Sequence, residues 1–183
     1  MDNLARDQAR RTCRVVMELP RTVGASTEKA TFAAGCFWHV EQTFSSIRGV
    51  LSTRVGYTGG DFTNPTYRDV CSDATGHAES VEIEFDSSKV SYKDLLKTFW
   101  DIHDPTQLNR QGPDHGTQYR SAIFYHTAEQ KAEALESRDA LQRMPRYVAK
   151  KIVTEIVAAK EFWPAEEYHQ KYLEKHGQAS CRL

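Results

Sequence analysis

A change of hydrophobic period around Gly35 constrains this chain more than any other feature. Ala30-Thr31-Phe32-Ala33-Ala34 is an apolar run of strand length. Beyond Gly35, Phe37, Val40, Phe44 and Ile47 recur at spacings of three and four, the signature of an amphipathic helix. A strand therefore turns into a helix at a glycine, which relaxes the backbone there. Cys36 follows that glycine, among the unpaired N–H groups of the first helical turn, where a thiolate is favoured.

The remaining periodicities complete a fold. Leu51, Thr53 and Val55 alternate with polar neighbours and predict a second strand; Gly56, Gly59, Gly60, Asn64 and Pro65 mark a long loop after it. From Ser80 to Phe85 the chain alternates, with Val81, Ile83 and Phe85 on one face. Ser91 caps a helix whose stripe is Leu95, Leu96, Phe99 and Ile102, and Pro105 ends it. A loop containing glycine and proline runs to Gln118, and Tyr119 to Tyr125 reads as a strand. Thr127 with Gln130 is a capping-box pattern opening another helix, Ile152 to Val157 a further strand, and Pro164 the start of a helix leading into Tyr168, Tyr172 and Leu173. The order strand, helix, strand, strand, helix, strand predicts an α+β fold: a ferredoxin-like split βαβ two-layer sandwich, helices on one face of the sheet, with C-terminal additions. No repeat or low-complexity linker interrupts it. The expected organisation is a flexible polar arm over 1–28 and a single catalytic domain over 29–183 with a mobile C-terminal tail.

The 183 residues suffice for one buried core, and 39% hydrophobic with 27% charged residues is ordinary for a globular chain. A net charge of −1 provides no field to attract nucleic acid or an acidic membrane. No apolar run approaches the ~20 residues of a spanning helix. The arm carries Arg6, Arg10, Arg11, Arg14 and Arg21, interrupted by Asp2, Asp7 and Glu18, and lacks the apolar core of a secretory signal; an extension is favoured over an organelle-import arm. The four cysteines, Cys13, Cys36, Cys71 and Cys181, stand far apart with no C-x-x-C pair. That spacing predicts free thiols in a reducing, cytoplasmic setting and no metal site. Cys71 reads as a half-buried core thiol and Cys13 as part of the arm.

Two residues carry the chemistry. A helix N-terminus stabilises a negative charge by roughly 0.3–1 kcal/mol, about 2 at most, which lowers a cysteine pKa from ~8.5 by about one or two pH units. Cys36 is thus expected to be a better nucleophile than a free thiol, with something else completing its activation; the other reading is a small side chain packed at a strand–helix junction. Glu79 shares a strand face with Val81, Ile83 and Phe85. If that face is buried, desolvation keeps its carboxyl protonated near neutral pH, fit to act as a general acid. The pair suits a reaction that needs a sulfur nucleophile and a proton delivered to oxygen. Phe37 and Trp38 could form an apolar slot beside Cys36, Tyr67 and Tyr119 offer phenol donors, and Asp114 lies in a polar loop before a strand. Two alternatives stay open: a cysteine acyl hydrolase drawing on His39, His77, His115 or His169, and a redox-responsive binding module with Cys36 and Cys181 as its switch.

Together these residues resemble the A-type peptide methionine sulfoxide reductases. The likeness lies in Gly35-Cys36-Phe37-Trp38, Gly56-Tyr57-Thr58-Gly59-Gly60 with Asn64-Pro65-Thr66-Tyr67, Thr75-Gly76-His77-Ala78-Glu79, His103-Asp104-Pro105, Gln111 to Ser121, and Ala165 to Leu173. It spans Thr31 to Leu173. The resemblance implies that Cys36 attacks the sulfur of a methionine S-sulfoxide, free or in an oxidised protein, while Glu79 protonates its oxygen. It further implies that Tyr67 and Tyr119 bind that oxygen, Phe37 and Trp38 hold the methyl group, and Asp114 positions the substrate backbone. Cys36 becomes a sulfenic acid, the tail cysteine Cys181 condenses with it to a disulfide, and thioredoxin reduces that disulfide. Such a protein repairs oxidised proteins under oxidative stress as a monomer, without metal, nucleotide or other cofactor. Three positions depart from the family. His39 stands in place of glycine, and Ser72-Asp73-Ala74 in place of Ser-Gly-Asp. The tail before Cys181 lacks the usual Asn-Pro and Gly-Tyr.

Overall fold

A computed structural model describes residues 26–177; Cys13, Cys181 and the arginines of the arm lie outside them. In chain order the elements are β1 (Thr27–Ala34), α1 (Phe37–Ser45), β2 (Val50–Thr58), α2 (Tyr67–Cys71), β3 (Ala78–Asp86), α3 (Tyr92–Asp101), β4 (Arg110–Gln111), β5 (Asp114–His115), β6 (Ser121–Tyr125), α4 (Ala128–Gln142), β7 (Glu155–Ala158), β8 (Trp163–Pro164) and α5 (Tyr172–Lys175). Six strands form one sheet in the order β7-β6-β1-β3-β2-β8. All neighbours are antiparallel except β6 and β7. The inner order β6-β1-β3-β2 is the split βαβ arrangement expected from the periodicities, with β7 and β8 added at the edges.

Alternation builds the core. Phe32 on β1 packs its ring against Phe44 of α1, Phe99 of α3 and Tyr92 at centroid distances of 5.3, 5.2 and 5.9 Å. Val81, Ile83 and Phe85 of β3 join the same cluster and are fully buried. A Phe→Ala change at such a site costs about 3–5 kcal/mol. The opposite face carries small residues, Ala33, Ala78 and Ala122, around Phe124. Ser91 opens α3 as expected: its hydroxyl accepts the Asp94 N–H, and the Asp94 carboxylate accepts the Ser91 N–H at 3.1 Å.

Four elements differ from the sequence expectation. Tyr119 does not open a strand: residues Thr117–Tyr119 form a 3₁₀ turn and β6 starts at Ser121, which pairs with Ala34, the last residue of β1. Upstream of Ser121 no partner remains. Similarly β7 starts at Glu155, opposite Ala122, rather than at Ile152. A helix of one turn, α2, lies inside the loop after β2, opened by a Thr66–Asp69 capping box. Finally, Pro164 does not begin a helix; Trp163–Pro164 pairs with Tyr57 and Gly56, and only Tyr172–Lys175 is helical. The intervening side chains bond outward instead. The Gln170 amide takes the Val55 N–H at 3.0 Å and donates to the Val55 carbonyl at 2.9 Å, in the manner of a strand partner, while Lys171 adopts a left-handed backbone.

Candidate active site

The register that places Phe32 opposite Val81 carries the chain leaving β1 past the start of β3, where Tyr57 stands opposite Glu79. Gly35 bends that chain with φ at +91°, and a Cβ on it would lie 2.7 Å from Cβ of Gln111. Only glycine fits on both counts. Cys36 is the N-cap of α1 and makes no side-chain cap bond. Glu79 is 2% exposed, and its Oε2 accepts the Phe37 N–H at 3.2 Å. The two groups therefore sit at the amino-terminal donors of one helix: the Phe37 N–H bonds the carboxyl, and the N–H groups of Trp38 and His39 lie close enough to the thiol to favour its charged form.

That sharing decides the charges. Burial pushes Glu79 up to about 8, with the nearby Asp114 carboxyl adding to the effect and the Phe37 N–H opposing it. The expectation of a protonated carboxyl holds. The expectation for Cys36 is corrected: burial raises its thiol to about 11, the carboxyls of Glu79 and Asp114 raise it further, and the two helix N–H groups only partly oppose them. Removing a thiolate from water costs more than one turn of a helix returns. At neutral pH the resting site thus holds a neutral thiol beside a neutral carboxylic acid.

The other expected residues converge on this pair. Tyr119, in the turn before β6, is raised to about 12 by burial and then by Glu79, Cys71, Asp114 and Cys36. Burial, Cys71, Glu79 and Tyr119 hold the Tyr67 phenol protonated well above its ordinary range. Asp114 sits in the β4–β5 hairpin, paired with Gln111. Phe37 is buried against Tyr57 and His169, at centroid distances of 6.0 and 5.2 Å. Trp38 is half-buried and lies flat on Tyr172, 3.8 Å away. Cys36, Glu79, Tyr67, Tyr119, Asp114, Phe37 and Trp38 thus gather at one end of the sheet. Cys71 does not pack in the core as expected but is exposed at the end of α2, and His39 is exposed on α1. Of the four candidate bases of a hydrolase, His77 is engaged by the Gly60 N–H and the Phe62 carbonyl and His169 by the Trp38 indole, while His39 and His115 are exposed.

Comparison with known proteins gives the family. The family model for peptide methionine sulfoxide reductase matches residues 28–183. The chain belongs to that family. It is 61% identical to the peptide methionine sulfoxide reductase MsrA of Geobacter sulfurreducens, over 86% of this chain and 96% of the relative. It is 60% identical to that of Methanothermobacter thermautotrophicus, over 85% and 92%. Among solved structures it superposes on methionine sulfoxide reductase A of Corynebacterium diphtheriae with a TM-score of 0.78, at 38% identity over 87% of this chain and 79% of that one. A crystal structure of Mxr1 from Saccharomyces cerevisiae in reduced form gives a TM-score of 0.78, at 34% identity over 86% and 90%. An enzyme of the oxidoreductase class is thereby established, in place of a hydrolase or a binding module.

Behind the reductase site stands a layer of side chains to which the sequence reading gave no supporting role. Glu166 accepts the Tyr57 hydroxyl at 2.9 Å and the Tyr67 N–H at 2.8 Å, fixing α2 against the sheet. Neutral His169 accepts the Trp38 indole N–H on Nδ1 at 3.1 Å, burial holding its pKa down, and stacks obliquely on Tyr67 and Tyr168. Its Nε2, the protonated nitrogen in this arrangement, is buried without a partner among the described residues. The Gln111 amide spans the Asp104 backbone, accepting its N–H and donating to its carbonyl, both at 3.1 Å. Arg120 donates to the carbonyls of Thr117 and Gly76 and to Glu155. No sequence periodicity signals these contacts: Glu166, His169 and Arg120 reach segments far apart in the chain, and Gln111 bonds across an irregular loop.

Proposed function

We propose that the protein reduces methionine S-sulfoxide, free or in oxidised proteins, to methionine through a Cys36 sulfenic acid. The observation that carries this reading is the Glu79 carboxyl, 2% exposed and bonded to the first N–H of the helix that Cys36 caps, with a pKa raised to about 8. A buried acid that keeps its proton at neutral pH is suited to protonating a sulfoxide oxygen, which needs a proton as its bond to sulfur breaks. Cys36 Sγ attacks the substrate sulfur, Glu79 gives its proton to the oxygen, and the thiol proton replaces it on the carboxylate. The oxygen passes to Cys36, so one thiol and one sulfoxide become one sulfenic acid and one methionine. Tyr67 and Tyr119, both held as neutral phenols, donate hydrogen bonds to that oxygen; Phe37 and Trp38 flank the methyl group; Asp114 holds the substrate backbone. A thiol raised to about 11 stays quiet until a sulfoxide accepts the proton of Glu79, which restricts the chemistry to a bound substrate.

Cys181, outside the described residues, is the resolving thiol in this reading: it displaces water from the sulfenic acid to form a disulfide, which thioredoxin reduces by thiol exchange. In this reading the domain over 29–183 acts as a monomer in the cytoplasm. No helix among the described residues is long and apolar enough to cross a membrane.

The test is single-turnover mixing of the reduced protein with a methionine-S-sulfoxide peptide, counting methionine and remaining thiols. The expected result is one methionine per chain with loss of two thiols. Methionine with loss of one thiol would remove Cys181 from the cycle, and no methionine would sink the proposal.

A further inference from the structure

We propose that Asp73 is a positioning residue for Tyr119, coupling the helix that begins with Tyr67 to the turn that ends with Tyr119. This inference rests on the reading that both phenols bind the sulfoxide oxygen.

Asp73 is an unfavourable residue where it stands. Its backbone is left-handed, with φ at 60°, a conformation glycine adopts freely and other residues only at a cost. It follows the carboxyl end of α2, its N–H closing on the Val70 carbonyl at 3.1 Å, where a negative charge opposes the exposed carbonyls. Nothing local favours it over glycine. What it gains is distant in sequence: Oδ1 accepts the Thr117 N–H at 2.8 Å and also the Thr117 hydroxyl. Thr117 begins the 3₁₀ turn Thr117–Tyr119.

The geometry makes this contact specific to the site. α2 is held at its start by the Thr66 cap and by Glu166 on the Tyr67 N–H, and at its end by Asp73. The turn of Tyr119 is tied on its other side by Arg120, whose guanidinium spans the carbonyls of Thr117 and Gly76 at 3.0 and 3.1 Å. Asp73 is thus the link between the two tyrosine-bearing segments, and losing it frees the Tyr119 turn to shift relative to Tyr67. Because the contact lies at the surface, its removal does not threaten the core.

A double-mutant cycle on the full chain tests this, read as kcat/KM for a methionine-S-sulfoxide peptide with dithiothreitol as reductant. Asp73→Ala is expected to lose about tenfold, the scale of one charge-assisted hydrogen bond. Asp73→Asn keeps an acceptor and is expected to stay within roughly threefold of wild type. Asp73→Gly relieves the backbone but lacks the acceptor, so it should fall with the alanine variant while thermal stability is kept. The deciding readout is Asp73→Ala combined with Tyr119→Phe, which should be no slower than Tyr119→Phe alone, since a clamp on a missing hydroxyl has nothing left to place. Additive losses, or full activity in Asp73→Ala or Asp73→Gly, would overturn the role of Asp73 while leaving the site intact. Full activity in Tyr119→Phe would overturn the reading of the site and this inference with it.

Discussion

The two halves of the site are held by different means. Cys36 and Glu79 are placed by backbone: an antiparallel register between β1 and β3, a glycine bend, and the first N–H of α1. Tyr67, Tyr119 and Asp114 lie on a one-turn helix, a 3₁₀ turn and a two-residue hairpin, elements too short to be stable alone. Side chains secure them, Glu166, Asp73 and Arg120 reaching across from distant segments and Gln111 bonding within its own loop. The proposed reacting pair therefore sits on the most cooperative part of the molecule, and the groups proposed to contact substrate sit on a part that can be adjusted one hydrogen bond at a time.

This contrast can be broken from either side. Cys36→Ser is expected to abolish methionine formation in a single turnover; retained turnover would end the assignment. Glu79→Gln keeps the bond to Phe37 but has no proton to give, and should slow that turnover by roughly 10²–10⁴. The same variant tests the electrostatics. Folded Glu79 holds its proton up to about pH 8 and the unfolded carboxyl releases it near 4.5, so the unfolded state carries fewer protons between those values. The stability contribution is full below 4.5 and is lost as pH rises through 8. Urea unfolding should show wild type losing on the order of 3–5 kcal/mol across that window relative to Glu79→Gln, and parallel pH profiles would contradict a buried neutral acid. On the side-chain-held half the effects are smaller: Tyr67→Phe is expected to lower kcat/KM about tenfold, without altering the fold, by removing one hydrogen bond to the oxygen. Smallest in consequence, iodoacetamide at pH 7 should label exposed Cys71 ahead of Cys36. Cys36 should react roughly a hundredfold more slowly than an ordinary thiol, its pKa being about 11. Faster labelling of Cys36 would restore the activated thiolate.

Legibility followed the same division. The run Ala30–Ala34, the bend at Gly35, the stripe through Phe44 and the alternation of Val81, Ile83 and Phe85 predicted the elements of the backbone-held half, and the face on which Glu79 lies was counted correctly from them. The charge of Cys36 was not, because a helix N-terminus is visible in sequence whereas burial and the carboxyls of Glu79 and Asp114 are not. The segment from Pro164 to Tyr172 looked helical by spacing, yet Glu166, Gln170 and Lys171 bond to partners more than ninety residues away.

By itself, then, the sequence determined the order of the central strands and helices, the chemical types at the site and the family, since periodicity, residue type and motif order are local properties. Only the tertiary structure decided which N–H serves the thiol and which the carboxyl, that both groups rest protonated, and how the tyrosine-bearing turns are held. Those depend on burial and on hydrogen bonds between distant segments, and neither exists until the chain has folded.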